Sequence, residues 1–332
     1  MATAAGAVDG DDELIETAPA DDQIFVGRAA ELEQGLAALR IGHSILIKGQ
    51  PGIGKRSLLR EIRLRLAEKR ICLCPTLATP KAFVSQLAEQ VHHAVGLTVP
   101  ERLIPPRFRA EAERTGRIAW KHIQRTIVRL PAQEVIHLVL TSLEGREDVV
   151  LFVESLEVPP SQADMLHQLA EHCQVAAGIE TQNRRNKVMR LLWRFQVTLE
   201  LKPLISSESR ELIERHLERA PIDFENEKVR DAFVTRVVRE SRGLPEAITG
   251  MLAAAVNERE VTRRSLHGFH HESAITYIDM TPMLLILAVS LMALRYVSRG
   301  IGVQELMVLA GVGTSLFSLM LFFARRMSSQ GR

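Results

Sequence analysis

A short run of glycines constrains this chain more than any other feature. Residues Gly49, Gln50, Pro51, Gly52, Ile53, Gly54 and Lys55 follow directly on the apolar run Ser44-Ile45-Leu46-Ile47. The helical pattern Ser57 to Leu66 comes immediately after. A strand that passes through such a loop into a helix turns backbone N–H groups around an anion. The positive end of the helix dipole adds to the attraction. The G-x-x-x-x-G-K spacing places Lys55 to reach the β- and γ-phosphates of ATP or ADP. The motif ordinarily continues with Ser or Thr, whose hydroxyl holds Mg²⁺. Here Arg56 takes that place and Ser57 comes one position late. The loop predicts nucleotide binding well and hydrolysis poorly.

Around the loop the pattern alternates. Phe25-Val26-Gly27-Arg28 with Glu31-Leu32 opens a helix running to about Leu39, and a strand is expected over Ile41–Lys48. Further strands are expected over Ile71–Cys74, Val149–Val153, Gln174–Ala177 and Gln196–Leu201. Continuous apolar strands separated by helices predict a parallel α/β sheet. After Pro203 the pattern turns helical, over Glu208–Glu218, Glu227–Glu240 and Glu246–Val256, with Gly243-Leu244-Pro245 as the break. Arg107 through Arg129 reads as one long basic helical stretch. Trp120, Ile123 and Ile127 share a face there, and Lys121, Arg125 and Arg129 lie elsewhere. That basic side suits a polyanion or a solvated surface, and the pattern leaves both open.

The C-terminal end brings in a membrane. Met280 to Leu294 carries no charge, and neither does the longer run Leu306 to Ala324. The second run is close to the roughly 20 residues that a spanning helix needs. The first reaches that length if Arg295 snorkels. Gly300 and Gly302 suit the turn between them. A nucleotide-binding domain faces the cytosol to meet ATP, and two spans return the C-terminus there. Arg325, Arg326 and Arg332 then follow the positive-inside tendency, although Arg295 and Arg299 lie in the connecting loop.

Composition narrows the partners. Formal net charge is +2 over 332 residues, too little for nucleic-acid binding by bulk charge. Asp9, Asp11, Asp12, Glu13, Glu16 and Asp21 lie in a stretch with no Lys or Arg, which reads as a disordered acidic tail and not as a signal peptide. Cys72 and Cys74 alternate on one strand face and Cys173 stands alone, a usage that suits core thiols in a reducing compartment. His267, His270 and His271 crowd the segment before the first uncharged run, at a spacing that fits no standard metal site. The expected organisation is an acidic tail over 1–23, a nucleotide-binding α/β domain over 24–202 and a helical lid over 203–256. A juxtamembrane linker over 257–278 and a transmembrane hairpin over 279–326 follow.

These residues together resemble a P-loop ATPase of the AAA+/STAND kind, close to origin-recognition-like bacterial ATPases, over about residues 24–256. The resemblance is carried by Phe25-Val26-Gly27-Arg28 and the Gly49–Lys55 loop. The strand ending at Glu154, Leu201-Lys202-Pro203-Leu204 and Gly243-Leu244-Pro245 complete it. It implies that Val26 and Gly27 pack near the adenine and that Pro245 approaches the nucleotide from the lid. It implies a metal- and water-handling role for Glu154, and Glu157, three residues along, is the second candidate acid by position alone. Ser57 and Glu154 are then the candidate Mg²⁺ ligands, and Arg194, Arg184 or Arg185 the candidate trans-acting arginine.

The departures are concerted. The family's strand ends in two acids, and here Glu154 is followed by Ser155. Ser cannot act unaided as a general base at neutral pH. Gly178 stands where a polar phosphate-sensing residue is expected. No winged-helix segment follows the lid, which argues against sequence-specific DNA binding. The expectation is a membrane-anchored, two-span ATP-binding protein, in a bacterial inner membrane by the resemblance, that self-associates or docks a protein partner. The alternatives are a working ATPase and a scaffold with a vestigial loop.

Overall fold

The computed structural model describes residues 24–115, 118–180 and 190–257, together with Ile286, Val289, Ser290 and Ala293. The chain divides into two compact units, Met1–Ala274 and Ile275–Arg332. In the second, those four residues are helical and exposed. Apart from them, the expected hairpin over 279–326 lies outside the described residues, as do the acidic tail and the histidine cluster. Among the described residues no helix is long and apolar enough to cross a membrane.

The first unit opens with α1 (Ala29–Arg40), β1 (Ile45–Gly49), α2 (Lys55–Leu66) and β2 (Ile71–Leu73). Then come α3 (Pro80–Ala94), α4 (Pro106–Thr115), α5 (Trp120–Arg129), α6 (Ala132–Leu143) and β3 (Val149–Val153). After α7 (Pro160–His172), β4 (Gln174–Glu180) and β5 (Val197–Glu200), the chain ends its described part in α8 (Ser206–Arg219), α9 (Glu227–Ser241) and α10 (Pro245–Val256). The five strands form one sheet in the order β2-β3-β4-β1-β5. All pairings are parallel, with Ile45 opposite both Ala176 and Val197.

Why these strands read as continuous apolar runs is visible in the layers. In β1, Ile45 and Ile47 face one core, shared with α1, α2 and the helices α8 to α10. Leu46 faces a second core, shared with α3, α5, α6 and α7. β3 divides likewise, with Val150 and Phe152 on the first side and Leu151 and Val153 on the second. With both faces covered, neither alternate set can be polar. The helices after Pro203 have no separate core, since Phe233 and Ile248 belong to the same cluster as Ile47 and Leu58.

Three expectations are corrected. The first strand starts at Ile45 and not at Ile41. Ile41 is exposed, and Gly42, at φ 93°, turns the chain before the strand. The basic stretch is two helices, α4 and α5, because extended backbone at Ala119 separates them. In α5 Trp120, Ile123 and Ile127 are buried, and Lys121, Arg125 and Arg129 are exposed. Third, β4 continues past Ala177 to Glu180, which carries a carboxyl group to the sheet's C-terminal edge.

Candidate functional site

The glycine loop lies between β1 and α2, at the C-terminal edge of the sheet. α2 begins at Lys55, and its N-cap, Gly54, has φ 96° and offers no side chain to cap the helix. The N–H groups of the first turn are therefore left for an external acceptor. Gly52 is also left-handed, at φ 73°. Lys55 Nζ donates to the carbonyls of Gly49 and Gln50, both at 3.0 Å, so the loop's own backbone holds the ammonium. Burial lowers its pKa and the Arg56 charge adds to this, while Glu180, Glu157 and Glu246 oppose both. An anion cradle with donors in place and one partly desolvated cation fits a nucleotide phosphate.

Above the loop is a cavity of about 550 Å³, within the usual size of a small-molecule site. Ile24, Phe25, Val26 and Arg28 line one side, and Pro51 through Ser57 line the loop side. Glu154, Ser155, Glu157 and Glu180 come from the strand ends. Leu204, Leu212, His216, Pro245, Glu246 and Thr249 come from the lid. Of the residues expected at the adenine, Val26 is on the wall and Gly27 makes the turn behind it, at φ 68°. Pro245 sits over the loop, with its Cγ 3.7 Å from where a Cβ on Gly54 would be.

The strand-end acids are placed unlike a metal and water site. Arg56 Nε lies 3.2 Å from Glu154 Oε2. Both side chains are largely exposed, at 77% and 70%, so the pair contributes little stability. Its consequence is positional: the carboxylate expected to take a metal is engaged by a cation of the chain itself. Ser57 lines the cavity, but it stands one position past the place of the metal-binding hydroxyl, and Arg56 occupies that place. The donor set does not fit Mg²⁺ as the loop motif would hold it.

Ser155 Oγ accepts from the Glu157 backbone N–H at 3.1 Å. Burial, then the Glu157 charge, holds the Glu180 pKa above the ordinary carboxyl value, against the pull of Lys55. Gly178 is sterically fixed. A Cβ there would lie 2.5 Å from the Glu154 carbonyl oxygen, and Leu156 N–H donates to the Gly178 carbonyl at 2.8 Å. No polar side chain can be hung at that point of β4.

Three residues of the site had no role in the sequence reading. Arg28 is in the left-handed region at φ 68°, and its side chain is 8% exposed. It donates to the Ile53 carbonyl and to Glu31, both at 3.3 Å, tying the opening segment to the loop. Glu180 was signalled only by standing at the end of an apolar run. Glu246 follows Pro245, and its backbone N–H donates to the Gly52 carbonyl at 3.2 Å. Arg194 is ion-paired with Glu171, and Arg184 and Arg185 lie outside the described residues.

A five-stranded parallel sheet, with a glycine loop leaving β1 and a lysine opening α2, defines the α/β P-loop nucleotide-binding fold. No protein-family model matches the sequence, and no curated protein is similar to it. Several solved structures are distantly similar to the chain. The Orc1 protein of Aeropyrum pernix, solved in complex with DNA, aligns at 19% identity and TM-score 0.45, over 80% of this chain and 69% of that one. The Holliday-junction branch-migration motor RuvB of Thermotoga maritima aligns at 16% and 0.43, over 84% and 83%. A STAND-class ATPase with a tetratricopeptide repeat sensor, from Pyrococcus horikoshii, aligns at 18% and 0.39, over 80% and 35%.

Proposed function

We propose that this chain is a membrane-anchored, ATP-binding protein of the AAA+/STAND kind. It works as a nucleotide-dependent switch or assembly factor, with weak or absent hydrolysis. One observation carries the reading. The phosphate cradle around Lys55 is complete, while Arg56, in the place of the metal-binding hydroxyl, is paired with Glu154. Binding groups are kept and bond-breaking groups are altered. The switch follows from the lid, whose Glu246 N–H is bonded to Gly52 inside the cradle. A nucleotide that fits the lid-closed form better than the open one shifts their populations by that difference in affinity. Lys55, the α2 N-terminus and Arg56 hold phosphates, and Val26, Phe25 and Pro245 border the base. The uncharged runs Met280–Leu294 and Leu306–Ala324 support the membrane anchor.

The test uses the full chain in detergent. ATP and ADP should each stabilise it with or without magnesium, and Lys55→Ala should abolish the effect. Phosphate release that needs both magnesium and Lys55 would replace this reading with a working ATPase. Partner binding untouched by Lys55→Ala would replace it with a scaffold.

A further inference from the structure

A second cavity, of about 600 Å³, adjoins the first and shares Arg56, Glu154 and Ser155 with it. It opens beyond the C-terminal ends of β2 and β3, where open parallel sheets take their ligands. Its composition is specific. Arg56, Arg60 and Arg63 line it from α2, at a spacing that puts them on one helix face. Glu154 is the one carboxylate among its lining residues. The floor is apolar, from Leu59, Phe152, Pro75 and Leu77.

The wall opposite the arginines is held firmly. Cys74 N–H donates to Gln90 Oε1 at 2.7 Å. Thr76 N–H and Oγ1 both donate to Gln86 Oε1, at 2.8 and 2.7 Å. Gln162, fully buried, donates from Nε2 to the Leu77 carbonyl at 3.2 Å. Three glutamines from two helices thus fix a four-residue loop that contributes nothing to the nucleotide cavity. A preformed wall lowers the ordering cost of binding.

We propose that this second cavity binds a small anionic ligand, a phosphate carried on an apolar, ring-sized body. The guanidinium row takes the phosphate, by charge-assisted hydrogen bonds, and the Phe152–Leu59 floor takes the body. The Arg56–Glu154 pair couples this site to the first, a step that rests on the nucleotide reading above. A nucleotide phosphate that draws Arg56 away leaves Glu154 unpaired beside the second ligand. The two ligands therefore oppose each other, and by linkage each weakens the other by the same factor.

Phenyl phosphate is the probe, titrated calorimetrically into the full chain in detergent. Saturable binding is expected, weakened about tenfold by Arg60→Gln and by Arg63→Gln, the effect of losing one charge-assisted hydrogen bond. ATP binding should be unchanged in both variants, which also shows that they are folded. Lys55→Ala should keep phenyl phosphate binding, and ATP should weaken it in the wild type to a finite limit. No saturable binding, or binding lost with Lys55 and kept without Arg60 and Arg63, overturns the site. Inorganic phosphate binding as tightly overturns the apolar body. Should ATP itself fail to bind, the nucleotide reading falls, while the second site still stands or falls on Arg60 and Arg63.

Discussion

The backbone N–H of Glu246, in the first turn of α10, donates to the carbonyl oxygen of Gly52 at 3.2 Å. This bond joins the lid to the phosphate loop directly. In the switch proposed above, a loop that rearranges around a phosphate is felt at α10 through this bond. Gly52 is left-handed, and a Cβ on it would lie 2.8 Å from Glu246 Oε2. Gly52→Ala should cost about 1–2 kcal/mol from the backbone alone. Urea unfolding measures that loss. The same variant should weaken ATP binding, and unchanged affinity would show that the lid contact is not coupled to the cradle.

Arg56 makes a sharper case. Arg56→Thr returns the hydroxyl that the loop motif lacks and frees the Glu154 carboxylate. Wild-type affinity for ATP should be nearly the same with magnesium and with chelator. In Arg56→Thr magnesium should tighten ATP about tenfold or more, as the metal takes over the lost positive charge. Titrations in the two buffers give the ratio. A wild-type chain already dependent on magnesium would mean that Ser57 and the strand-end acids do assemble a metal site.

Legibility in the sequence tracked how local each feature is. The loop Gly49–Lys55 was readable because a strand, a cradle and a helix start occupy adjacent residues. β3 was readable because five consecutive buried positions leave no polar residue in it. α6 was not, since its run Val135-Ile136-His137-Leu138-Val139-Leu140 suits a buried strand as well as a helix. Residue pairs far apart in sequence were not readable either. Nothing local to Glu154 announces Arg56 as its partner, and nothing local to Glu157 announces Glu180. Gly178 was legible as a missing side chain, but its cause, the carbonyl of Glu154 pressed against it, is tertiary.

That close approach has a direct test. Gly178→Asn would restore a polar group at the expected phosphate-sensing point of β4. The Cβ has no space, because the nearest atom is backbone and cannot swing aside. Overpacking of this kind costs about 1–3 kcal/mol, and a backbone obstacle puts it at the upper end. Thermal unfolding of the variant should fall accordingly, with no gain in phosphate release. A stable variant with faster release would show that the Glu154–Ser155 turn yields easily.

Glu180 gives a pH-dependent prediction. Burial first, then the Glu157 charge, raises its pKa above the ordinary carboxyl value of 4.5. The folded chain therefore binds this proton more tightly than the unfolded chain. Its contribution to stability is fully present below the unfolded value and is lost as pH rises through the raised folded value. The Glu180 carboxylate is partly buried and repelled by the Glu157 charge, and Lys55 offsets that repulsion. Glu180→Gln should therefore stabilise the nucleotide-free protein at pH 7.5, by about 1 kcal/mol or less after solvent screening. The gain should shrink as pH falls and vanish near pH 4, where Glu180 is itself neutral. Melting temperatures of both proteins across that range measure it. A variant less stable than wild type at pH 7.5 would show instead that Lys55 holds Glu180 as a carboxylate. The ion pair would then outweigh the desolvation at the heart of the phosphate site.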